Sequence, residues 1–278
     1  MASMQLPRQH VDAPVREPHP VLSEYYSSVE GKQRFTRILF DAGAGDYDRF
    51  DRIFAFGTGS RYRREALQRA GLAPGMRMLD VAVGTGLVAK EAVHIVGDLG
   101  GVTGVDPSPG MMSVAATGGL ALVRGRAETL PFAAGSFDFL VLGFALRHLV
   151  DLEKVFLEFR RVLKPGGRLL ILEITRPQGR IAAVMLRTYL RGVAPFIARL
   201  LGRDAHTPTL YRYFWDTIEA CVPPDRVMAT MAAAGFARIS NQRQLGIFSE
   251  YGASAQEFVG LTPDKLLKQN RPHDNGSK

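Results

Sequence analysis

Short apolar runs of strand length alternate with segments of helical period through most of this chain, and that rhythm limits the folds open to it. Phe137–Phe144 (FDFLVLGF) is almost continuously apolar, as a strand covered on both faces must be. Leu152, Val155, Phe156, Phe159 and Leu163 then recur at helical spacing and predict an amphipathic helix over 151–163. Lys164-Pro165-Gly166-Gly167 reads as the break after it, and Arg168–Ile174 (RLLILEI) as the next strand. Upstream, Met76–Ala82, Gly101–Asp106 and Ala121–Arg124 read as strands, with helices at Leu87–Val96 and from Met111. Downstream, Asp225–Ala234 reads as a helix stopped by Gly235. Phe236–Leu245 and Ile247–Tyr251 can then pair as an antiparallel hairpin at a sheet edge. Such alternation predicts an α/β fold with a mostly parallel sheet and helices on both faces. Residues 180–222 interrupt the rhythm with helical, arginine-spaced sequence and are expected to form a cap.

The domain reading follows. Residues 1–20 and 256–278 are expected to be loose tails, 21–75 an N-terminal helical cap and 76–178 the core. The inserted cap is 179–222, and 223–255 supplies a last helix and the hairpin. Composition excludes several other classes. With 46% hydrophobic and 22% charged residues the chain is of globular type, not disordered, collagen-like or disulfide-stapled. The lone Cys221 cannot form an internal disulfide. No apolar run reaches the roughly 18 residues of a membrane span, and the N-terminus lacks the apolar centre of a signal peptide. These features predict a cytoplasmic protein. No metal is expected, because the six histidines are dispersed without ligand spacing.

Chemistry concentrates in Leu79-Asp80-Val81-Ala82-Val83-Gly84-Thr85-Gly86. Glycines at a strand-to-helix turn let a ligand approach the backbone and leave amide donors free at the helix start. Gly84 and Gly86 with Ala89 also satisfy a dinucleotide-binding pattern. Asp80 discriminates: a carboxylate there repels a pyrophosphate, whereas S-adenosyl-L-methionine has no phosphate and carries an ammonium. A plain acid that caps the following helix is the alternative. Asp106 closes the next strand and can accept both hydroxyls of a ribose, which either cofactor possesses. Arg126-Ala127-Glu128 and Gly143-Phe144 are the remaining places where an adenosine can lie along the sheet edge.

The run LDVAVGTG, GVDPSPGMM, GRAETLPF, SFDFLVLGFALRHLVD and RVLKPGGRLLILEITRP resembles a class I S-adenosylmethionine-dependent methyltransferase. Within that class the chain is most similar to the ubiquinone/menaquinone C-methyltransferase family (UbiE type). YDRFDRIFAFG and LYRYFWDTIEACVPPDRVMATMAAAGF extend the resemblance from about Phe40 to about Leu245. It implies a Rossmann-like, seven-stranded, mostly parallel sheet whose last strand is antiparallel. It also implies cofactor contacts at Thr85, Asp106, Arg126, Ala127 and Gly143, with Arg63 near the methionine carboxylate. Two positions depart from the family. Arg126 stands where an acid or amide is usual; guanidinium is donor-only, so adenine recognition would shift to the backbone of Ala127. His148 stands where Asn is typical.

Methylating a phenolic ring at carbon needs phenolate character in the acceptor. Arg147 cannot act as a base but can stabilise a phenolate, and His148 can take the phenolic proton directly or through one water. A backbone-bonded helix-start histidine is the alternative for His148. The expected acceptor is a hydrophobic aromatic small molecule, met by Tyr47, Phe50, Phe54, Tyr189, Tyr211, Phe214 and Trp215, which can equally be plain core. Methylation at O, N or C of a specialised metabolite is the alternative function. A noncatalytic cofactor-binding scaffold is a further one.

The formal charge of +8 is local. Ten basic residues and one acid, Glu173, lie from Arg160 to Arg203. Arg180, Arg187 and Arg191 can share a helix face among Ile181, Val184, Leu186 and Leu190. That pattern suits peripheral contact with an anionic membrane or simply a solvated face. No nucleic-acid partner is expected. A homodimer is left open.

Overall fold

The computed structural model describes residues 14–54, 58–200 and 206–256. Strand β1 (Met78–Val81) lies at the centre of a seven-stranded sheet and pairs in parallel with β2 (Val102–Asp106) and β4 (Phe137–Gly143). β3 (Ala121–Arg124) extends the sheet beyond β2, and β5 (Leu163–Ile174) pairs in parallel with β4. β7 (Phe248–Ala255) runs antiparallel between β5 and the edge strand β6 (Phe236–Gln244). The fold class and the terminal hairpin are as the sequence predicts.

Period-2 alternation along these strands divides the core in two. Leu79, Val81, Leu140, Leu142, Leu169 and Ile171 face one layer, shared with α5 (Leu152–Val162) and α9 (Pro224–Ala233). Met78, Phe139, Val141, Leu170 and Leu172 face the other, shared with α2 (Gly59–Arg69) and α3 (Leu87–Val96). A third cluster lies above the carboxyl edge of the sheet. It joins α1 (Val29–Phe54) to the cap helices α6 (Arg180–Thr188) and α8 (His206–Ala220) around Tyr213, Phe214 and Trp215. A π-helical turn (Tyr189–Val193) and α7 (Ala194–Leu200) link α6 to α8. The remaining helix, α4 (Pro109–Ala116), follows β2 and receives α1; Ser108 caps it by accepting from the Met111 amide.

Two expectations change. Lys164–Gly167 does not break the chain: Leu163 already pairs with Phe137, and the register shifts before Phe139–Arg168. Gly166, at φ +75°, turns the backbone within that irregularity. Residues 14–20 are not a loose tail. Val15 donates its amide to Thr230 Oγ1, while the carbonyls of Arg16 and Pro18 accept from the amides of Leu152 and Val222. Residues 1–13 and 257–278 of the expected tails lie outside the described residues.

Gly104, in the middle of β2, holds the sheet close to the glycine turn. A β-carbon there would stand 2.9 Å from both methyls of Val83 and 2.8 Å from Leu122. Gly104→Ala is expected to lower stability by roughly 1–3 kcal/mol, read by thermal unfolding, and to weaken ligand binding at the turn that carries Val83.

Candidate active site

The carboxyl ends of β1, β2 and β4 open onto two adjoining cavities, of about 90 Å³ and about 670 Å³. Tyr47, Ala82, Gly84, Gly143 and Phe144 line both and mark their junction. Ala82 (φ 54°) and Phe144 (φ 58°), directly after β1 and β4, hold the left-handed backbone region that side chains disfavour. Strain of this kind persists where the surrounding structure overdetermines it, and binding sites collect it. Gly86 (φ 83°) needs its conformational freedom to enter α3, and lines neither cavity.

The smaller cavity contains Asp80, Arg63 and Thr85. Asp80 is 1% exposed, and among the described residues neither carboxylate oxygen has a hydrogen-bond partner. Burial, then the neighbouring charge of Asp106, pushes its pKa up to about 8. The buried Thr85 hydroxyl also lacks a partner. Arg63 is buried, with its guanidinium 5.6 Å above the Phe144 ring. An unpartnered carboxylate and a buried guanidinium on one small cavity fit a zwitterionic amino-acid group.

In the larger cavity Asp106 accepts from the amides of Gly84 (2.9 Å) and Ser108 (2.8 Å), one on each oxygen. Burial raises its pKa to about 6 against the pull of those two amides. Each oxygen keeps a second lone pair for a hydroxyl. Ala127 and Met111 add buried apolar wall. Arg126 also lines this cavity, but it is engaged: Nη1 donates to Gln33 Oε1 of α1 at 2.8 Å, and Nε to Glu128 at 3.4 Å. α1 is tied across the cavity at two further points. Lys32 donates to the Leu149 carbonyl, and Asp41 accepts from the Ser108 hydroxyl and the Gly110 amide.

The sequence reading left Arg147 free to face an acceptor. The structure sets it on the wall of the smaller cavity and also engages it within the fold. Arg147 is buried, and its guanidinium is paired with Glu173 and donates to the Phe144 carbonyl. The same Glu173 accepts from the amides of Arg147 and Ile174, which join the ends of β4 and β5. The Arg147 guanidinium lies 5.1 Å from the Phe214 ring centroid, and its Nε is buried without a hydrogen-bond partner among the described residues.

His148 does reach the larger cavity. Its ring stacks on Tyr213 with centroids 5.4 Å apart and meets Phe40 edge-on at 5.1 Å. Nδ1 lies 3.4 Å from the Tyr213 hydroxyl, and Nε2 is buried without a partner. Burial, then the charges of Arg147 and Lys32, holds the imidazole well below its usual pKa. It is a neutral ring at neutral pH.

Among the expected aromatic contacts, Tyr47 and Phe214 line the cavities. Tyr211 and Trp215 instead belong to the buried cap cluster, with Tyr189 packed against it. They carry the cap and do not line either cavity. The side chains of Phe50 and Phe54 lie outside the described residues. Sequence reasoning missed Phe40, Tyr62, Phe248 and Glu173; only their place in a stripe or strand was visible. Among the described residues no group of His, Cys, Asp and Glu could hold a metal.

Comparison with known proteins decides the family. The model of the ubiE/COQ5 methyltransferase family matches residues 28–251. The chain belongs to this family. It is 32% identical over 224 residues to the ubiquinone/menaquinone biosynthesis C-methyltransferase UbiE of Shewanella sediminis, covering 77% of this chain and 88% of that protein. The Shewanella woodyi UbiE protein matches at the same identity and coverage. A SAM-dependent methyltransferase of Thermotoga maritima shares the fold, with a TM-score of 0.57 at 20% identity, covering 79% of this chain and 99% of that one. This family member is therefore an S-adenosylmethionine-dependent methyltransferase, and the unpartnered Asp80 carboxylate fits that cofactor's ammonium.

Two predictions follow from the site. A carboxyl whose folded pKa is raised favours the folded state fully in acid, and that contribution is lost as pH rises through the folded value. Ligand-free protein should thus lose stability from Asp80 between its ordinary 3.8 and about 8. Asp80→Asn should flatten this slope in pH-dependent thermal unfolding while weakening cofactor binding roughly 10- to 100-fold by calorimetry. Arg147→Ala leaves Glu173 charged and buried, and should cost about 3–5 kcal/mol. Arg147→Met with Glu173→Gln should recover part of that loss in denaturant titrations.

Proposed function

We propose that this methyltransferase adds its methyl group to a ring carbon of a hydrophobic phenolic or quinol-type small molecule. The observation that carries the reading is His148. A neutral imidazole with an unpartnered Nε2 in an aromatic wall can accept a phenolic proton; its low pKa makes it a weak base, so the proton moves in step with methyl transfer and not before it. The names of the UbiE relatives support the same acceptor class.

In this reading Asp80 and Thr85 receive the methionine ammonium, and Arg63 its carboxylate. Asp106 holds the ribose hydroxyls, while Ala127 and Met111 enclose the adenine. Gly143 keeps the junction open: a β-carbon there would press 2.8 Å from Val88 Cγ2. The bound cofactor supplies an electrophilic methyl group. The aromatic side chains Tyr47, Phe144 and Phe214 hold the acceptor ring and exclude water, which preserves the nucleophilicity of a developing phenolate. His148 takes the proton, and Arg147 acts through Glu173 by fixing the loop on which His148 stands.

A second reading rests on a different observation. Arg34, Arg37, Arg124 and Arg126 reach the rim of the larger cavity, and among the described residues the first three have no ion pair. That rim favours an acidic specialised metabolite. Incubation with labelled cofactor and either a lipid extract or aromatic acids, followed by mass spectrometry and NMR of the product, separates the two. Label on a quinol ring carbon supports the lead; label only on a polar acid, or on oxygen or nitrogen, overturns it.

His148→Phe keeps the ring packing and removes the lone pair. It should lower kcat about 100-fold or more with the cofactor Kd unchanged. Because the His148 pKa lies well below 6.5, wild-type kcat should show no acid-side inflection near that value.

A further inference from the structure

The cap has an apolar surface that nothing among the described residues covers. Six of the eleven exposed large apolar side chains among the described residues lie between Ile181 and Ile197. Ile181, Val184 and Met185 follow one another at helical spacing on α6, with Ile181 78% and Met185 68% exposed. Phe196, 62% exposed, and Ile197 continue the exposed apolar run on α7. The opposite side of the same segment is apolar as well: Ala183 and Leu190 are buried, and Leu190 belongs to the cap cluster. A helix apolar on two sides has one side for its own core and one for something else.

The charge around this surface is of one sign. No Asp or Glu occurs between Glu173 and Asp204. Arg176, Arg180 and Arg187 are exposed and have no ion pair among the described residues, whereas Arg191 lies 3.5 Å from Asp216. A second copy of the chain is a poor occupant, because a twofold interface places a patch against itself and would set these arginines against one another. A bilayer with anionic headgroups accepts both components: apolar side chains in the acyl boundary and guanidinium groups among the phosphates.

The patch also follows the site closely in the chain. α6 begins shortly after Ile174, the last residue of β5, and Ile174 lines the smaller cavity. No helix among the described residues is long and apolar enough to cross a membrane. We propose that the face formed by Ile181, Val184, Met185, Phe196 and Ile197, flanked by Arg176, Arg180 and Arg187, docks this enzyme onto an anionic membrane surface. This surface is separate from the proposed acceptor chemistry and does not depend on it.

Flotation of the full-length protein with vesicles tests the docking. Phosphatidylcholine vesicles are compared with phosphatidylcholine containing phosphatidylglycerol, at near-physiological ionic strength. The wild type should float with the anionic vesicles and stay below with the neutral ones. Arg180→Gln with Arg187→Gln should reduce binding roughly 25-fold, and Ile181→Ser with Met185→Ser and Phe196→Ser should reduce it to background. Absence of binding to anionic vesicles, equal binding to both vesicles, or binding indifferent to both variants overturns the proposal. So does a dimer in light scattering that the triple serine variant dissolves. Calorimetric cofactor binding should be unchanged in both variants, which separates failure of docking from failure of folding. Methyl transfer to a water-soluble acceptor reports on the chemistry independently.

Discussion

The buried ion pair between Arg147 and Glu173 holds the active edge together. Glu173 sits in β5 and Arg147 in the loop after β4, so their contact joins two neighbouring strand ends where the chain leaves the sheet. A buried pair of this kind contributes little net stability, yet removing one partner is costly. Its value here is placement. It fixes the backbone on which His148 stands and gives Phe214 of the cap a flat cationic surface to pack on. The cap cluster, the wall around His148 and the junction of the two cavities all rest on that arrangement.

Asp80 represents the opposite arrangement. Its carboxylate is as buried as Arg147, but no ion pair or full hydrogen bond among the described residues holds it; the Ala89 amide and the Arg63 charge offset its burial only in part. A group left in this state raises the energy of the empty site, and a cationic ligand relieves the cost on binding. Differential stabilisation of this kind lets a modest number of contacts give useful affinity. The left-handed backbone at Ala82 and Phe144 belongs to the same edge. Unpartnered polar atoms and left-handed backbone thus occur together where ligand meets sheet, while the two cores beneath are apolar.

Much of this was legible in the sequence, because the signals involved are local. Helical spacing at Leu152–Phe159 and the apolar run of β4 report burial directly, and the turn from Asp80 to Gly86 carries its chemistry within seven residues. What stayed hidden depends on contacts between distant segments. Nothing near Arg147 announces that Glu173, in the next strand, would neutralise it. Nothing in Arg126 foretells Gln33. Phe40 reads as one of several aromatic residues on a long helix until the fold brings it against His148. The Lys164–Gly167 stretch misled for a related reason: Pro and Gly mark irregular backbone, and a bulge within a strand satisfies that signal as well as a break does. Residues 14–20 looked unstructured because their partners are supplied by the helix and loops more than a hundred residues away.

The position of β7 has a consequence for how the molecule comes to exist on the ribosome. The last strand among the described residues is not at the rim of the sheet; it is the strip that joins β5 to β6. Until residues 248–255 have emerged, β5 has an open side, β6 has no neighbour in the sheet, and Phe248 is missing from the wall of the smaller cavity. The earliest described residues wait as well, since Val15 needs Thr230. A nascent chain can thus assemble the half of the sheet around β1, but it acquires a complete ligand-binding edge only after residues 248–255 have been made.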